Sequence, residues 1–380
     1  MFFAVFLLTL GYGVSFPLLA IRLEQSGVGA ARIGLNAAMP ALGWLLVMPL
    51  LPRLHHHFST KQLLLAFLTI SLLGLTSLAA SHRLDVWLSG RLAFGGGIGM
   101  LFRVLEYWLN ATAPTAIRGR IIGIYAFCFL LGIAVGSLLQ PQFGTVGVTA
   151  FAAVGLPMMV GGAVLAALSI DRILTNQDSA PISTRTAATV APLAVAAVIC
   201  YGLYEDVPAY LLSVYSLRVG MGTDIAAYTL TAYAFGNLIG AVPLGILSDK
   251  LGRAPVLSGC AAVGMMCALV LPMSASTSQT YLLIIALWGA CAGALYAVGL
   301  AMVGDHFSGQ ALISANALFG TVYAAAALVG PLINGAAMQL WDPHGLLLSC
   351  VVIFAAYLPV AAFVARRNQG LDTSQWEQSG

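Results

Sequence analysis

The sequence predicts an all-α integral membrane protein with twelve transmembrane helices. Of its 380 residues, 60% are hydrophobic and only 8% are charged, and a soluble protein cannot cover that much apolar surface. The 41 glycines suit this class, because small residues let membrane helices approach closely. A helix needs about 20 mostly apolar residues to cross a bilayer. Segments of this kind lie near 2–21, 33–52, 62–80, 86–109, 120–140, 148–170, 190–216, 225–247, 256–273, 280–303, 311–334 and 345–365.

Two features typical of secreted proteins are not expected. Segment 2–21 has no positive n-region and no evident small-residue cleavage site, so we predict a retained membrane helix and not a signal peptide. The six cysteines all fall inside apolar segments, without the clustered spacing of a disulfide framework or a zinc site. We predict that they are small core residues. They are Cys128, Cys200, Cys260, Cys267, Cys291 and Cys350.

The loop cations predict that both termini face the cytoplasm. With that topology, ten Lys and Arg residues fall in inner loops and four in outer loops, as the positive-inside rule requires. The net charge of +3 therefore reflects topology and does not indicate nucleic-acid binding. We expect a multi-pass protein of the cytoplasmic (inner) membrane. The inner set is Arg53, Lys61, Arg118, Arg120, Arg172, Arg185, Lys250, Arg253, Arg366 and Arg367, and the outer set is Arg22, Arg32, Arg83 and Arg218.

Faint internal repeats indicate two halves of one plan. A Gly-x-Gly at 27–29 precedes the second segment, and another at 220–222 precedes the eighth. Tyr125 with Gly132 recurs as Tyr323 with Gly330, at the same spacing. Parallel repeats of six helices are a known transporter architecture. We therefore predict a six-helix bundle over 1–170, a cytoplasmic linker over 171–189, a second six-helix bundle over 190–367 and an unstructured polar tail over 368–380.

A charged loop separates the eighth and ninth segments and reads G-I-L-S-D-K-L-G-R over 245–253. The order G-x-x-x-D-[RK]-x-G-R resembles the loop signature of the major facilitator superfamily of secondary transporters. The resemblance implies a gating role, in which the acid and its basic partners latch neighbouring helices when the cytoplasmic side closes. The corresponding loop of the first half, 52–58, reads P-R-L-H-H-H-F and lacks the acid, so we expect an asymmetric gate. The gating residues would be Gly245, Asp249, Lys250, Gly252 and Arg253.

Further residues resemble the YcaD-type branch of that superfamily. They are Leu203-Tyr204 followed by Pro208-Ala209-Tyr210-Leu211, Glu106, Arg118-Gly119-Arg120, Gly293 with Leu295-Tyr296, Asn316, Tyr323 and Gly330-Pro331. The resemblance implies a monomeric transporter of a small-molecule substrate, in contact with membrane lipid. The chain has no Walker phosphate loop and no hydrolase or metalloprotease motif. We accordingly expect neither enzymatic activity nor a cofactor or metal, and a proton gradient as the energy source.

The fourth segment carries a polar stripe. Ionisable residues at membrane depth are costly and usually face a cavity or a partner. At about 100° per residue, the stripe covers about one third of the helix circumference. Arg103 and Glu106 are three residues apart and can pair along the helix, either as a structural ion pair or as part of a site. Arg91 with Gly95 resembles the family's R-x-x-x-G element, which implies a role in proton coupling. The stripe comprises Arg91, Gly95, Gly99, Arg103, Glu106 and Asn110.

Two adjacent acids, Glu205 and Asp206, lie near the middle of the seventh segment. Tyr201 stands one turn before Glu205, and Tyr210 stands one turn after Asp206. Pro208 removes a backbone donor and bends the helix, and transporters bind substrates near the midplane at such irregular helices. We predict a substrate or proton site here, although the acids can equally pair with an arginine of the fourth segment.

These features favour proton-coupled export of a small organic solute, with cationic and amphipathic solutes as the candidates. Two alternatives stay open: proton-coupled uptake of a nutrient, and a non-transporting receptor or scaffold. The glycines of the fifth segment have the spacing of superfamily antiporters, but Ser137 replaces the usual proline. The histidine run 55–57 is predicted to be a solvated loop, and Trp288 and Tyr296 are candidates to line a cavity.

Overall fold

A computed structural model describes residues 1–81, 83–114, 117–170, 192–307 and 309–377. Twelve long helices dominate this part of the chain, and the predicted linker 171–189 lies outside it. The helices are α1 (Phe2–Gln25), α2 (Ala30–Val47), α3 (Thr60–Ala80), α4 (Leu84–Thr112), α5 (Arg118–Leu139), α6 (Val148–Ala167), α7 (Pro192–Arg218), α8 (Thr223–Leu251), α9 (Arg253–Val270), α10 (Ser278–His306), α11 (Gly309–Leu340) and α12 (Gly345–Glu377). Short helices occupy Met48–Leu50, Leu51–His57, Gln140–Phe143 and Leu271–Ser274.

The predicted membrane helices are confirmed. Eleven helices of the described chain are long and apolar enough to cross a bilayer. The remaining one, α4, has 29 residues, which is also enough for a crossing. Its hydropathy is lower because it contains five glycines and the charged residues Asp85, Arg91, Arg103 and Glu106. These charged residues need polar partners or an aqueous cavity inside the protein.

The two halves, α1–α6 and α7–α12, meet mainly through α2 against α11 and α5 against α8, with further contacts of α1 to α7 and α8. We call the end of the bundle at which α6 ends and α7 begins the linker end, and the opposite end the far end. The contact of α2 with α11 is close because it is made by glycines. A Cβ on Gly34 would overlap the carbonyl oxygen of Pro331 and lie 3.1 Å from Cα of Gly335. The two halves therefore touch backbone to backbone near the far end.

Two sequence-based expectations about chain segments are wrong. Segment 368–380 was expected to be unstructured, but α12 continues as helix as far as Glu377. The histidine run was expected to be a solvated loop; it is helical, at the end of Leu51–His57, although His56 and His57 are exposed as expected. His55 is buried there, with its ring centroid 5.8 Å from that of Tyr107 on α4. Burial lowers the pKa of His55 below its usual value, because a buried imidazole is more stable without its charge.

The cysteines agree with the prediction. All six are free, five of them are buried, and Cys128 is partly buried. They act as small apolar residues in helix packing.

Candidate functional site

Helix α7 is broken near its centre, as the sequence predicted. It is α-helical over Pro192–Tyr204, forms a π-helical turn over Val207–Leu211 and resumes as an α-helix over Leu212–Arg218. Pro208 lies in the π turn, where its missing N–H removes one bond of the regular ladder. Such turns inside helices are frequent at functional sites. The break places Glu205 at the middle residue of α7, with Asp206 next to it.

Glu205 is held by two tyrosines. The Tyr201 hydroxyl donates to Oε1 over 3.1 Å, and the Tyr323 hydroxyl of α11 donates to Oε2 in a short hydrogen bond. The rings of Tyr201 and Tyr323 stack at 6.1 Å between centroids, and Tyr296 of α10 packs against both, at 5.5 and 5.6 Å. Glu205 nevertheless keeps partial solvent exposure. Glu205 also interacts electrostatically with Arg103 of the N-terminal half. Its accessible side therefore faces the space between the two halves, which we call the cavity.

Asp206 has different surroundings from its neighbour. It is also partly exposed, but no described residue makes a hydrogen bond or an ion pair with it. It interacts electrostatically with Arg91 of α4 and with Tyr12 of α1, both in the N-terminal half. Adjacent helical residues point about 100° apart, so the two acids face different neighbours.

Arg91 is completely buried, and none of its three side-chain nitrogens has a hydrogen-bond partner among the described residues. Its guanidinium lies over the rings of Tyr210, Phe94 and Phe16, at 4.7, 5.6 and 5.9 Å. These cation–π contacts are favourable, but a buried charge without a hydrogen-bond partner remains costly. Tyr210, predicted to flank Asp206, instead joins Arg91 across the two halves of the protein.

Arg103 and Glu106 form the predicted pair, with 3.4 Å between Nη1 and Oε2. Their side chains are 35% and 43% exposed, so the pair faces the cavity and is not enclosed by helices. An ion pair this accessible contributes little to stability. Arg103 also interacts electrostatically with Tyr296 and Tyr323 of the other half. It therefore belongs to the lining of the same cavity as Glu205.

The predicted gating residues lie at the linker end and bond within the C-terminal half. Arg253 donates to Asp249 at 2.6 Å, to the Ser248 hydroxyl at 2.7 Å and to Asp305 of α10 at 3.2 Å. Gly252 joins α8 to α9 with φ +91°, a conformation that suits glycine. Lys250 is exposed, and a Cβ on Gly245 would meet no atom within 4 Å. The motif thus connects α8, α9 and α10.

Three parts of the site differ from the sequence-based analysis or are missing from it. Trp288 does not line the cavity, because it is fully buried against Tyr204 and Phe354. Tyr323 was not predicted to bind Glu205. The repeat of Tyr125 with Gly132 as Tyr323 with Gly330 could have marked it as a candidate. The far-end contact of Arg218 with Glu24 and Asp342 gave no signal in the sequence. No group of three side chains suited to a metal ion occurs in the described part of the chain.

Comparison with solved structures shows the same fold in two transporters. The nucleoside transporter NupG superposes with a TM-score of 0.74 at 14% identity, covering 96% of this chain and 97% of NupG. A D-xylose–proton symporter superposes with a TM-score of 0.71 at 16% identity, covering 95% of each chain. At this level of identity the likeness shows the fold alone.

Sequence relatives match over most of the chain. YfkF of Bacillus subtilis, an uncharacterised MFS-type transporter, is 28% identical over 349 residues, which are 88% of this chain and 86% of YfkF. YcaD of Escherichia coli, also an uncharacterised MFS-type transporter, is 23% identical over 362 residues, 93% of this chain and 91% of YcaD. The family model of the Major Facilitator Superfamily matches twice, at residues 1–194 and 193–379. With a match to each half and relatives of these names, the chain belongs to the Major Facilitator Superfamily, as a transporter of the YcaD-type branch and not an enzyme.

Proposed function

We propose that the protein is a proton-coupled exporter of a small organic solute, working by alternating access between its two halves. The observation that carries this proposal is Glu205, an accessible carboxylate in the break of α7, bonded by Tyr201 and Tyr323. An intramembrane carboxylate that faces a cavity marks a substrate or proton site by default. Its place midway along the bundle suits a site that is reached from one side at a time.

Competition at Glu205 would couple the two fluxes. A carboxylate away from bulk water is stable when it carries a proton or lies next to a cation, and costly when it has neither. A positively charged group of the solute that binds at Glu205 therefore displaces the proton, and a proton that binds later displaces the solute. The two tyrosine hydroxyls donate to the carboxylate and stabilise its charged form while one occupant replaces the other. Exchange of solute for proton is antiport.

The proposed orientation places the linker end in the cytoplasm, in agreement with the excess of loop cations on that side. The two halves are joined at the far end by Arg218 with Glu24 and by Ser137 with Thr231, so the present conformation closes the outer side. Glu205 would then be loaded from the cytoplasm. We further propose that the protein works as a monomer in the cytoplasmic membrane, surrounded by lipid, with the proton gradient as its only energy source.

Proton-coupled uptake is the second candidate. One observation favours uptake: Ser137 occupies the position at which antiporters of the superfamily usually have proline. Its hydroxyl forms a hydrogen bond of 2.9 Å with Thr231 of α8. Helix α5 therefore lacks the proline that would support the antiport proposal.

The direction of coupling can be measured in proteoliposomes that contain a pH-sensitive dye and are preloaded with one solute of a panel. If efflux of the solute acidifies the lumen, the protein is an antiporter. Lumenal alkalinisation would instead indicate symport, which contradicts export by exchange. No flux of any solute would favour the receptor or scaffold role over transport.

The coupling residue is tested by Glu205→Gln in the same assay. We expect the variant to reach the membrane folded and to lose solute-driven proton movement at least tenfold, because the amide cannot bind and release a proton. Arg83→Gln is the control, since the Arg83 side chain pairs with its exposed neighbour Asp85 and with no other described residue, and this variant should leave coupling unchanged. Normal proton coupling in Glu205→Gln would refute the assignment of this residue.

A further inference from the structure

Two charges of opposite sign face the cavity from opposite halves of the protein. Arg103 comes from α4, Glu205 comes from α7, and both are partly exposed. They are not paired with each other, because Arg103 bonds Glu106 while Glu205 bonds Tyr201 and Tyr323. Arg103 still acts electrostatically on Glu205. The cavity therefore has a positive wall and a negative wall.

Aromatic side chains connect these walls. Tyr323 donates to Glu205, the ring of Tyr296 lies 5.6 Å from that of Tyr323, and Tyr296 interacts electrostatically with Arg103. An ammonium group next to Glu205 would find tyrosine faces around it, and such faces attract cations. The lining between the charges is thus suited to a short organic chain with a cation at one end.

Arg103 retains free binding capacity. A guanidinium has five N–H donors, and one hydrogen bond from Arg103, to Glu106, is present. That pair is long and solvent-accessible, so a ligand carboxylate can bind the remaining donors, in the two-point geometry that arginine favours. A ligand with only a positive charge would leave this arginine as a repulsive neighbour, and a ligand with only a negative charge would meet Glu205 and Asp206. Both cases are disfavoured by like-charge repulsion.

We propose that the substrate is a small zwitterion, bound with its ammonium group at Glu205 and its carboxylate at Arg103. This inference rests on the proposed transport function and narrows its substrate class. Arg103 and Glu205 interact with different tyrosines, Tyr296 and Tyr323, whose ring centroids are 5.6 Å apart. An ω-amino acid with several methylenes can span such a separation better than an α-amino acid. A ligand that touches both halves also binds more tightly when the halves approach, and such differential binding is what drives a conformational change.

The test uses thermal unfolding of the purified protein with three matched sets of ligands. The sets are ω-amino acids from glycine to aminohexanoate, the alkylamines and the alkylcarboxylates of the same chain lengths. A ligand that binds the folded state alone raises the unfolding midpoint. We expect the longer ω-amino acids to raise it most, and expect the rise to disappear in both Arg103→Gln and Glu205→Gln. Arg103→Lys should retain part of it, and the control Arg83→Gln should retain all of it.

Two results would overturn the proposal that the substrate is a zwitterion. One is stabilisation by the alkylamines that equals that of the amino acids and persists in Arg103→Gln. The other is the absence of stabilisation by any amino acid of the panel in a protein that unfolds cooperatively. Neither result decides the proposed function, because solute-driven proton flux in proteoliposomes measures that separately.

Discussion

The two ends of the helix bundle are held in different ways. At the far end, Arg218 of α7 binds both carboxylate oxygens of Glu24 on α1 at 2.8 Å, and it also binds Asp342 at 2.8 Å. At the linker end, Arg253 binds Asp249 and Asp305, which belong to its own half. The ionic contacts therefore join the halves at the far end and stiffen one half at the linker end.

This difference shows that the loop carrying the family motif does not make the contacts that join the two halves in this conformation. The loop around Asp249 carries the resemblance to the superfamily, yet within the described chain the hydrogen bonds of Arg253 all go to its own half. Closure of the far end rests on residues with no such motif: Arg218, Glu24 and the glycine contact of α2 with α11. In this conformation, the recognisable loop lies at the linker end, opposite the end at which Arg218 and Glu24 join the halves.

The largest effect is expected from Arg218→Ala. The side chains of Arg218 and Glu24 are only 17% and 19% exposed, and removal of one partner from a desolvated charge pair costs about 2 kcal/mol or more. At that cost the population with a closed far end falls roughly 25-fold relative to the open one. Spin labels at the exposed positions Ser26 and Thr223 should report a longer distance. The same distance distribution as in the parent protein would show that the ion pair does not hold this end.

A smaller effect is expected from Gly34→Ala. The new methyl group would overlap the carbonyl oxygen of Pro331, and overpacking of this kind costs about 1–3 kcal/mol. Because the clash lies between α2 and α11, it should open the far end and lengthen the same spin-label distance. Gly320→Ala on α11, the partner helix in this contact, is the matched control, since its Cβ would meet no atom within 4 Å. Equal behaviour of the two variants would count against backbone contact as a cause of closure.

The smallest effect is expected from Arg253→Gln. Asp249 is 66% exposed, and accessible ion pairs of this kind contribute about 0–1 kcal/mol. The unfolding midpoint and the far-end distance should therefore stay close to those of the parent protein. A shift as large as that of Arg218→Ala would mean that the linker end also controls how the halves are joined.

Local spacing explains which parts of the site could be predicted. Tyr201 with Glu205 and Arg103 with Glu106 are four and three residues apart, and such pairs meet on any helix surface. The break of α7 followed from Pro208. The partner of Glu205 on α11 could not be derived in this way, because Tyr323 is 118 residues away and helix packing alone brings it close.

Burial explains the predictions that were wrong. His55 and Trp288 have polar groups, which suggested a solvated loop and a cavity wall. In the structure, His55 packs against α4, and Trp288 packs against Tyr204 and Phe354. Composition does not indicate which side of a helix meets a neighbour, so it could not separate a buried aromatic side chain from one that lines the cavity.

Hydropathy and short-range spacing in the sequence were enough to predict a twelve-helix membrane transporter with a broken α7 and ionisable residues at membrane depth. These signals act within one segment, so they can be read without knowing how the segments pack. Three features followed only from the packed helices: Glu205 is bonded from two helices, Arg91 is buried without a hydrogen-bond partner among the described residues, and Arg218 joins the halves at the far end. Those contacts join residues far apart in the chain, and only the packing of the helices brings them together.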